Sequence, residues 1–317
     1  MKKWMITAVI LMVLGGAVFM ASFVAADFNF FAIGTDALTE KTYEINEPIQ
    51  NIEIVDNTGD VRLVLGDAGR VECQESQLFR YAVSVEKGTL RIRVADQRKW
   101  YHYLGFSFSA RTVTVYLPAD SYQSLSVETN TGNVSVSEGF TFGRVELSSD
   151  TGNLSCGASV EGMLNCETDT GNILVKSPSL GKGEFSSDTG NISLSELTAE
   201  GSLSFETDTG NLNLTHVTCE KLSLETDTGD ANLTKVICRA DLFAETDTGD
   251  ISFDACDAAS VTVGTDAGDV EGTFCTDKIF QVSTKSGSVS VPSSFVGTPC
   301  KVSTRSGDVD LRILPKK

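Results

Sequence analysis

Histidine is nearly missing from this chain: 317 residues hold two. So little imidazole argues against a His-rich metal site or a His-driven catalytic machine. Basic side chains are also scarce, 25 Lys+Arg against 43 Asp+Glu, for a formal net charge of −18. Phosphate binding needs a basic footprint, so a nucleic-acid partner is excluded. No cysteine precedes Cys73, which argues against a lipoprotein-type attachment near the amino terminus. None of the eight cysteines forms a C-x-x-C pair, so zinc is not indicated. Hydrophobic residues make up 41%, too many for a disordered chain and too few for a polytopic membrane protein.

The acidity is concentrated. Residues 128–277 carry 6 Lys+Arg against 27 Asp+Glu, whereas 278–317 carry 7 against 2. At the other end, Lys2 and Lys3 precede an uncharged stretch from Trp4 to Ala26. Its 23 residues, at about 1.5 Å each as a helix, suffice to cross a bilayer core of ~30 Å. The lysines favour a cytoplasmic start, with the rest of the chain outside. A cleaved signal peptide ending at Val24-Ala25-Ala26 is the alternative, although its apolar region is typically about 7–15 residues. Either reading exports the remainder.

A period dominates the remainder of the chain. SDTGN at 149–153, TDTGN at 168–172, SDTGN at 187–191 and TDTGN at 207–211 lead to TDTGD at 226–230 and 246–250 and TDAGD at 265–269. TNTGN at 129–133 opens the series, TKSGS at 284–288 and TRSGD at 304–308 close it, and DNTGD at 56–60 is an upstream relative. The glycines from Gly132 to Gly307 stand 19 or 20 apart. Counting from each glycine, places −7, −5, +2 and +4 are mostly apolar, and −3 is Ser or Thr throughout. Steps of two are strand periodicity, and nothing recurs at helical spacing. The period is too short for a propeller blade and lacks a leucine-rich pattern. The expectation is an all-β, single-stranded β-solenoid (β-helix) of 19–20-residue coils, preceded by one transmembrane helix. Its parts are the anchor 1–26, a linker 27–44, irregular coils or a cap 45–127, and regular coils 128–317. Each TG-N/D step is a corner, with Asx turns available to the acidic and amide side chains.

PIQNIEIVDNTGDVRLV at 48–64, GTLRIRV at 88–94, RKWYHYLGFSF at 98–108 and TVTVYLPADSYQSLSVETNTGNVSV at 112–136 resemble the Toastrack domain, the DUF4097 family of candidate adhesins. The resemblance spans roughly residues 40–315, and an apolar anchor before the domain is typical of the family. It implies a non-catalytic, surface-exposed β-repeat protein of bacteria, related to adhesins or to envelope-stress components. It carries no catalytic residues over.

Several features compete with a purely structural role. Asp-Thr-Gly, the aspartic-protease triplet, occurs six times, and a corner turn explains that recurrence better than a shared-proton dyad. Asp150, Asp169, Asp188, Asp208, Asp227, Asp247 and Asp266 should stack in one column. Neighbours would repel by about 1 kcal/mol per pair in water unless backbone N–H groups or Ca²⁺ intervene. Solvated Asx turns explain these residue types, and no firm metal or cofactor site emerges. The column begins at Asn130 and ends at Lys285 and Arg305, a basic tip suited to an anionic wall polymer or to another copy's acidic flank. Trp100, Tyr101 and Tyr103, around His102, read either as a cap over the core or as a sugar- or membrane-contacting loop. Cys219 and Cys238 share a place in adjacent coils, as do Cys256 and Cys275. They read as buried small rungs, with cross-coil disulfides the alternative. His102 and His216 show no partner in the sequence. The functional expectation is a membrane-anchored extracellular interaction or scaffold module, binding an envelope protein, cell-surface protein or wall polymer. An envelope-stress accessory and, behind it, a polysaccharide-active enzyme are the alternatives.

Overall fold

The computed structural model describes residues 2–25, 38–76, 79–96 and 111–315. From residue 121 to residue 274 it is a stack of parallel strands in which a residue pairs with the one 18 to 20 positions on. Leu147 lies against Cys166, Cys166 against Phe185, Phe185 against Phe205, Phe205 against Leu224 and Leu224 against Ala244. That in-register repetition makes the expected β-solenoid. The inward places form a continuous apolar ladder because each coil buries its side chains only against its neighbours. Phe185 and Phe205 stack with ring centroids 4.9 Å apart, and Leu224 and Ala244 beyond them are fully buried.

Two corners define a coil. The first is the glycine, and Gly190 shows why nothing larger serves: a Cβ there would collide with the Gly171 carbonyl of the coil before. The second corner was not visible in the sequence. Six places after successive glycines, Glu196, His216, Lys235 and Ala255 all take a left-handed backbone, with φ between 53° and 55°. None is Gly or Asn, the usual residues there.

The glycines stack in single file, but the coils at the two ends do not follow chain order. The strand Ile251–Ala267 pairs with Thr298–Ser306, which in turn pairs with Lys278–Ser286. The Gly307 coil therefore lies between the Gly268 and Gly287 coils, and the last but one in sequence is outermost. Burial gives a physical reason. Cys300, Val302, Val309 and Leu311 are each about 1% exposed, whereas Val289 is 47% exposed and Phe280 and Val282 are half-buried. An end coil covers one side only, so the weaker apolar set loses least there.

The other end carries a matching transposition. Asn51–Asp56 pairs with Ser121–Thr131 on one side and with Thr89–Asp96 on the other. Gly59–Leu65 likewise lies between Val134–Val136 and Arg111–Leu117. The layer formed by 89–96 and 111–117 is thus outside the layer at 51–65. Antiparallel strands finish this end: Phe79–Glu86 on Thr89–Asp96, and Thr39–Glu44 on Arg70–Glu75, which itself pairs with Arg111–Leu117. Twelve layers at strand spacing make a rod of roughly 50 Å.

Lys2–Ala25 is an α-helix. Side chains in it are described over residues 11–21 and at Val24, and among the described residues no helix is long and apolar enough to cross a membrane.

Candidate functional site

The recurring T-D-T-G-N/D segment resolves into columns with different tasks. At −3 the hydroxyl points inward and donates to the carbonyl of the glycine one coil back. Thr168 reaches Gly152 at 3.1 Å, Ser187 reaches Gly171 at 2.9 Å and Thr246 reaches Gly229 at 3.1 Å. That bond explains why only Ser and Thr occupy the place: a buried carbonyl beside a glycine needs a short donor. At +1 each side-chain oxygen accepts the backbone N–H of the same place in the next coil. Asn153 N–H donates to Asn133 Oδ1 at 2.9 Å, Asp230 N–H to Asn211 Oδ1 at 2.8 Å, and Asp308 N–H to Asp269 Oδ1 at 2.7 Å. The Ser288 N–H at the end of this ladder holds the Asp308 carboxyl below its ordinary range.

The ladder at +1 leaves the −2 column to water. Asp150, Asp169, Asp188, Asp208, Asp227, Asp247 and Asp266 are all exposed. Glu128, Glu167, Glu206, Glu225 and Glu245, two places earlier, are exposed on the same face. The arrangement is a flat, regular carboxylate surface repeating at strand spacing. Among the described residues no three or more His, Cys, Asp or Glu are gathered as a metal ion would require.

Arg305 and Lys285 end the column, in an order reversed by the transposed coil. Arg305 follows Asp266 directly, with Nη1 3.0 Å from Oδ2, and Lys285 stands beyond it. Trp100, Tyr101, Tyr103 and His102 lie outside the described residues. His216 does have a partner: its Nδ1 is 2.9 Å from Glu196 Oε1 on the preceding coil's second corner. Seven of the eight cysteines are buried. Cys275 is exposed, and Phe274 takes the inward place opposite Cys256, so Cys256 and Cys275 do not stack as expected.

Two buried polar groups escaped the sequence reading. Asp56 occupies the −3 place of the DNTGD corner, fully buried. It accepts bonds from Tyr81 Oη at 2.5 Å and Asn57 N–H at 2.6 Å, and the buried Arg111 is 3.7 Å away. Arg111 also lies over the Phe79 ring and donates to Thr58. Burial, with the Asp56 charge beside it, pushes the Tyr81 phenol far above its usual range. The aspartate where every other copy has Ser or Thr was the available signal. Lys278 is the second: fully buried, its ammonium contacts the Asp257 carboxylate, the Ala258 carbonyl at 2.7 Å and the Thr298 hydroxyl at 2.8 Å. The same count from the glycine gives residues as different as Gln123, Gly162, Glu220 and Ala259 in other coils, so no column marked it in the sequence.

The family model described as Toastrack DUF4097 matches residues 49–312. Similar crystal structures include a candidate adhesin from Parabacteroides distasonis ATCC 8503, 16% identical, covering 75% of this chain and 99% of that one, TM-score 0.49. A candidate lipid-binding protein from the same strain is 13% identical over 88% of this chain and 98% of that one, TM-score 0.47. A candidate adhesin from Bacteroides fragilis NCTC 9343 is 14% identical over 88% and 99%, TM-score 0.39. At such identities and scores the likenesses say nothing about what this chain binds. No curated protein matches it.

Proposed function

The chain belongs to the Toastrack DUF4097 family, and from that premise we propose a non-catalytic module that displays a rigid β face on the outside of a cell. The regular carboxylate surface carries this reading. Its side chains repeat coil by coil without the irregular charged cluster that a glycan-cleaving site would impose. Identical groups at a fixed spacing favour a polymeric or multivalent partner, because each engaged coil raises the effective concentration for the next. The uncharged stretch Trp4–Ala26 supports attachment to a membrane with the rod outside. The partner is an envelope or cell-surface protein or a wall polymer, and the sign of the face favours one that is cationic or bridged by cations.

The test uses the full chain in lipid vesicles, presented to whole bacteria and to purified wall polymers. Salt-sensitive binding is expected, weakened by replacing Asp188, Asp208 and Asp227 with Asn. Retained binding in that variant would move the contact elsewhere, and turnover of any glycan would overturn the non-catalytic reading.

A further inference from the structure

Cys219 and Cys238 occupy the same place, nine residues past Gly210 and Gly229, and pair in register across adjacent parallel coils. Both side chains are buried, at 0% and 3% exposure, and their sulfurs are 3.6 Å apart. Theirs is the one sulfur–sulfur contact of this kind among the described residues. Cys256, the next cysteine along, instead directs its thiol to the Leu233 carbonyl at 3.3 Å. Neighbouring strands are about 4.8 Å apart, within the Cα separation of about 4.4–6.8 Å that disulfides span.

We propose that Cys219 and Cys238 are joined by a disulfide in the exported protein, a covalent staple across the middle of the rod. The inference rests on the proposed export of the chain. The oxidant is a disulfide-bearing molecule or protein of the extracytoplasmic space. One cysteine thiolate attacks that disulfide to give a mixed disulfide, and the other displaces the second oxidant sulfur. The two S–H bonds are lost and one S–S bond forms. Two electrons and two protons pass to the oxidant, which leaves as two thiols. Both thiols are buried in the folded coil, out of reach of a disulfide-bearing oxidant. The bond therefore forms while the coils are still closing. A solenoid opens at its weakest coil interface, and this bond makes one central interface inseparable.

The experiment traps thiols with N-ethylmaleimide in intact cells producing the full chain, then denatures it and maps peptides by mass. Expected are one linked peptide pair containing Cys219 and Cys238 and six alkylated cysteines. A membrane-impermeant amine reagent on the same cells reads export independently. A surface-labelled chain with eight alkylated cysteines overturns the bond while export stands; an unlabelled chain overturns the export reading. A second arm unfolds the purified full chain and refolds it with oxidised glutathione. The same linkage is expected there, with a melting temperature several degrees above the reduced form and no reductant sensitivity in C219A/C238A. Glutathione left on Cys219 or Cys238, or linkage of either to Cys256, overturns the pairing.

Discussion

Arg305 covers Asp266, Nη1 to Oδ2 at 3.0 Å, although the coil that follows Asp266 in sequence offers Lys285 for that place. Both side chains are more than half exposed, so the pair contributes at most about 1 kcal/mol. Its significance is positional. A run of seven exposed aspartates ends against a guanidinium because a later coil is inserted beneath an earlier one.

That run should respond to ionic strength more than to any particular ion. Raising NaCl from low to moderate concentration is expected to raise the melting temperature by screening the column. Millimolar Ca²⁺ against EDTA, at fixed ionic strength, should add no more than a few degrees. A much larger rise in calorimetry would make the column a metal site.

Gly190→Ala is expected to destabilise the rod by about 1–3 kcal/mol or more, because the methyl group meets the Gly171 carbonyl and the coils must part. Thermal unfolding followed by circular dichroism checks this. A variant melting with the wild type would mean that the coil spacing is soft.

The hydroxyl ladder makes a paired prediction. Thr207→Val removes the donor to the Gly190 carbonyl, 3.2 Å away, and should cost about 1–2 kcal/mol. Thr129 is equally buried, yet among the described residues its hydroxyl has no hydrogen-bond partner. Thr129→Val should therefore be neutral or stabilising. Equal losses in chemical denaturation would remove the ladder as the reason for Ser and Thr.

Lys278→Met should cost about 3–5 kcal/mol, since Asp257 loses the ammonium it faces. The damage should be local. Hydrogen exchange is expected to rise over 278–313 and to stay unchanged over 145–215, because each coil transmits stability only to its neighbours.

Alkaline pH should loosen the fold through its thiols. Burial pushes Cys73 and Cys300 up to about 12 and Cys156 and Cys256 up to about 11. An unfolded thiol ionises near 8.5, so no penalty exists below that pH. Above it the unfolded chain gives up protons that the folded chain retains, and stability falls until the folded value is reached. Each such thiol contributes about 1.4 kcal/mol per pH unit in that window. Replacing Cys300 with Ala should reduce the slope between pH 9 and 12 by about that amount; an unchanged slope would assign the loss to other groups.

The period, the inward ladder and the Ser/Thr column were legible in the sequence because each is a local pattern repeated many times. The order of the end coils was not. TKSGS and TRSGD present the same register to any neighbour, so their spacing permits either sequence of layers, and only the difference in apolar burial decides. The second corner was hidden for another reason. Glu196, His216, Lys235 and Ala255 have no shared chemistry, and the stacking of coils imposes the left-handed backbone on whatever residue falls there. Asp56 was legible as a departure from the Ser/Thr column, Lys278 was not because its place is variable from coil to coil, and the pairing of His216 with Glu196 was legible only once that corner was known.

The carboxyl-terminal transposition decides how the rod would yield to a pull. A zipper fails from its last tooth, which is gripped on one side only. Here the last described segment of the chain, 298–313, is clasped on both flanks, by 251–274 and by 278–290. Tension on the carboxyl-terminal side must break two seams together before that layer comes free.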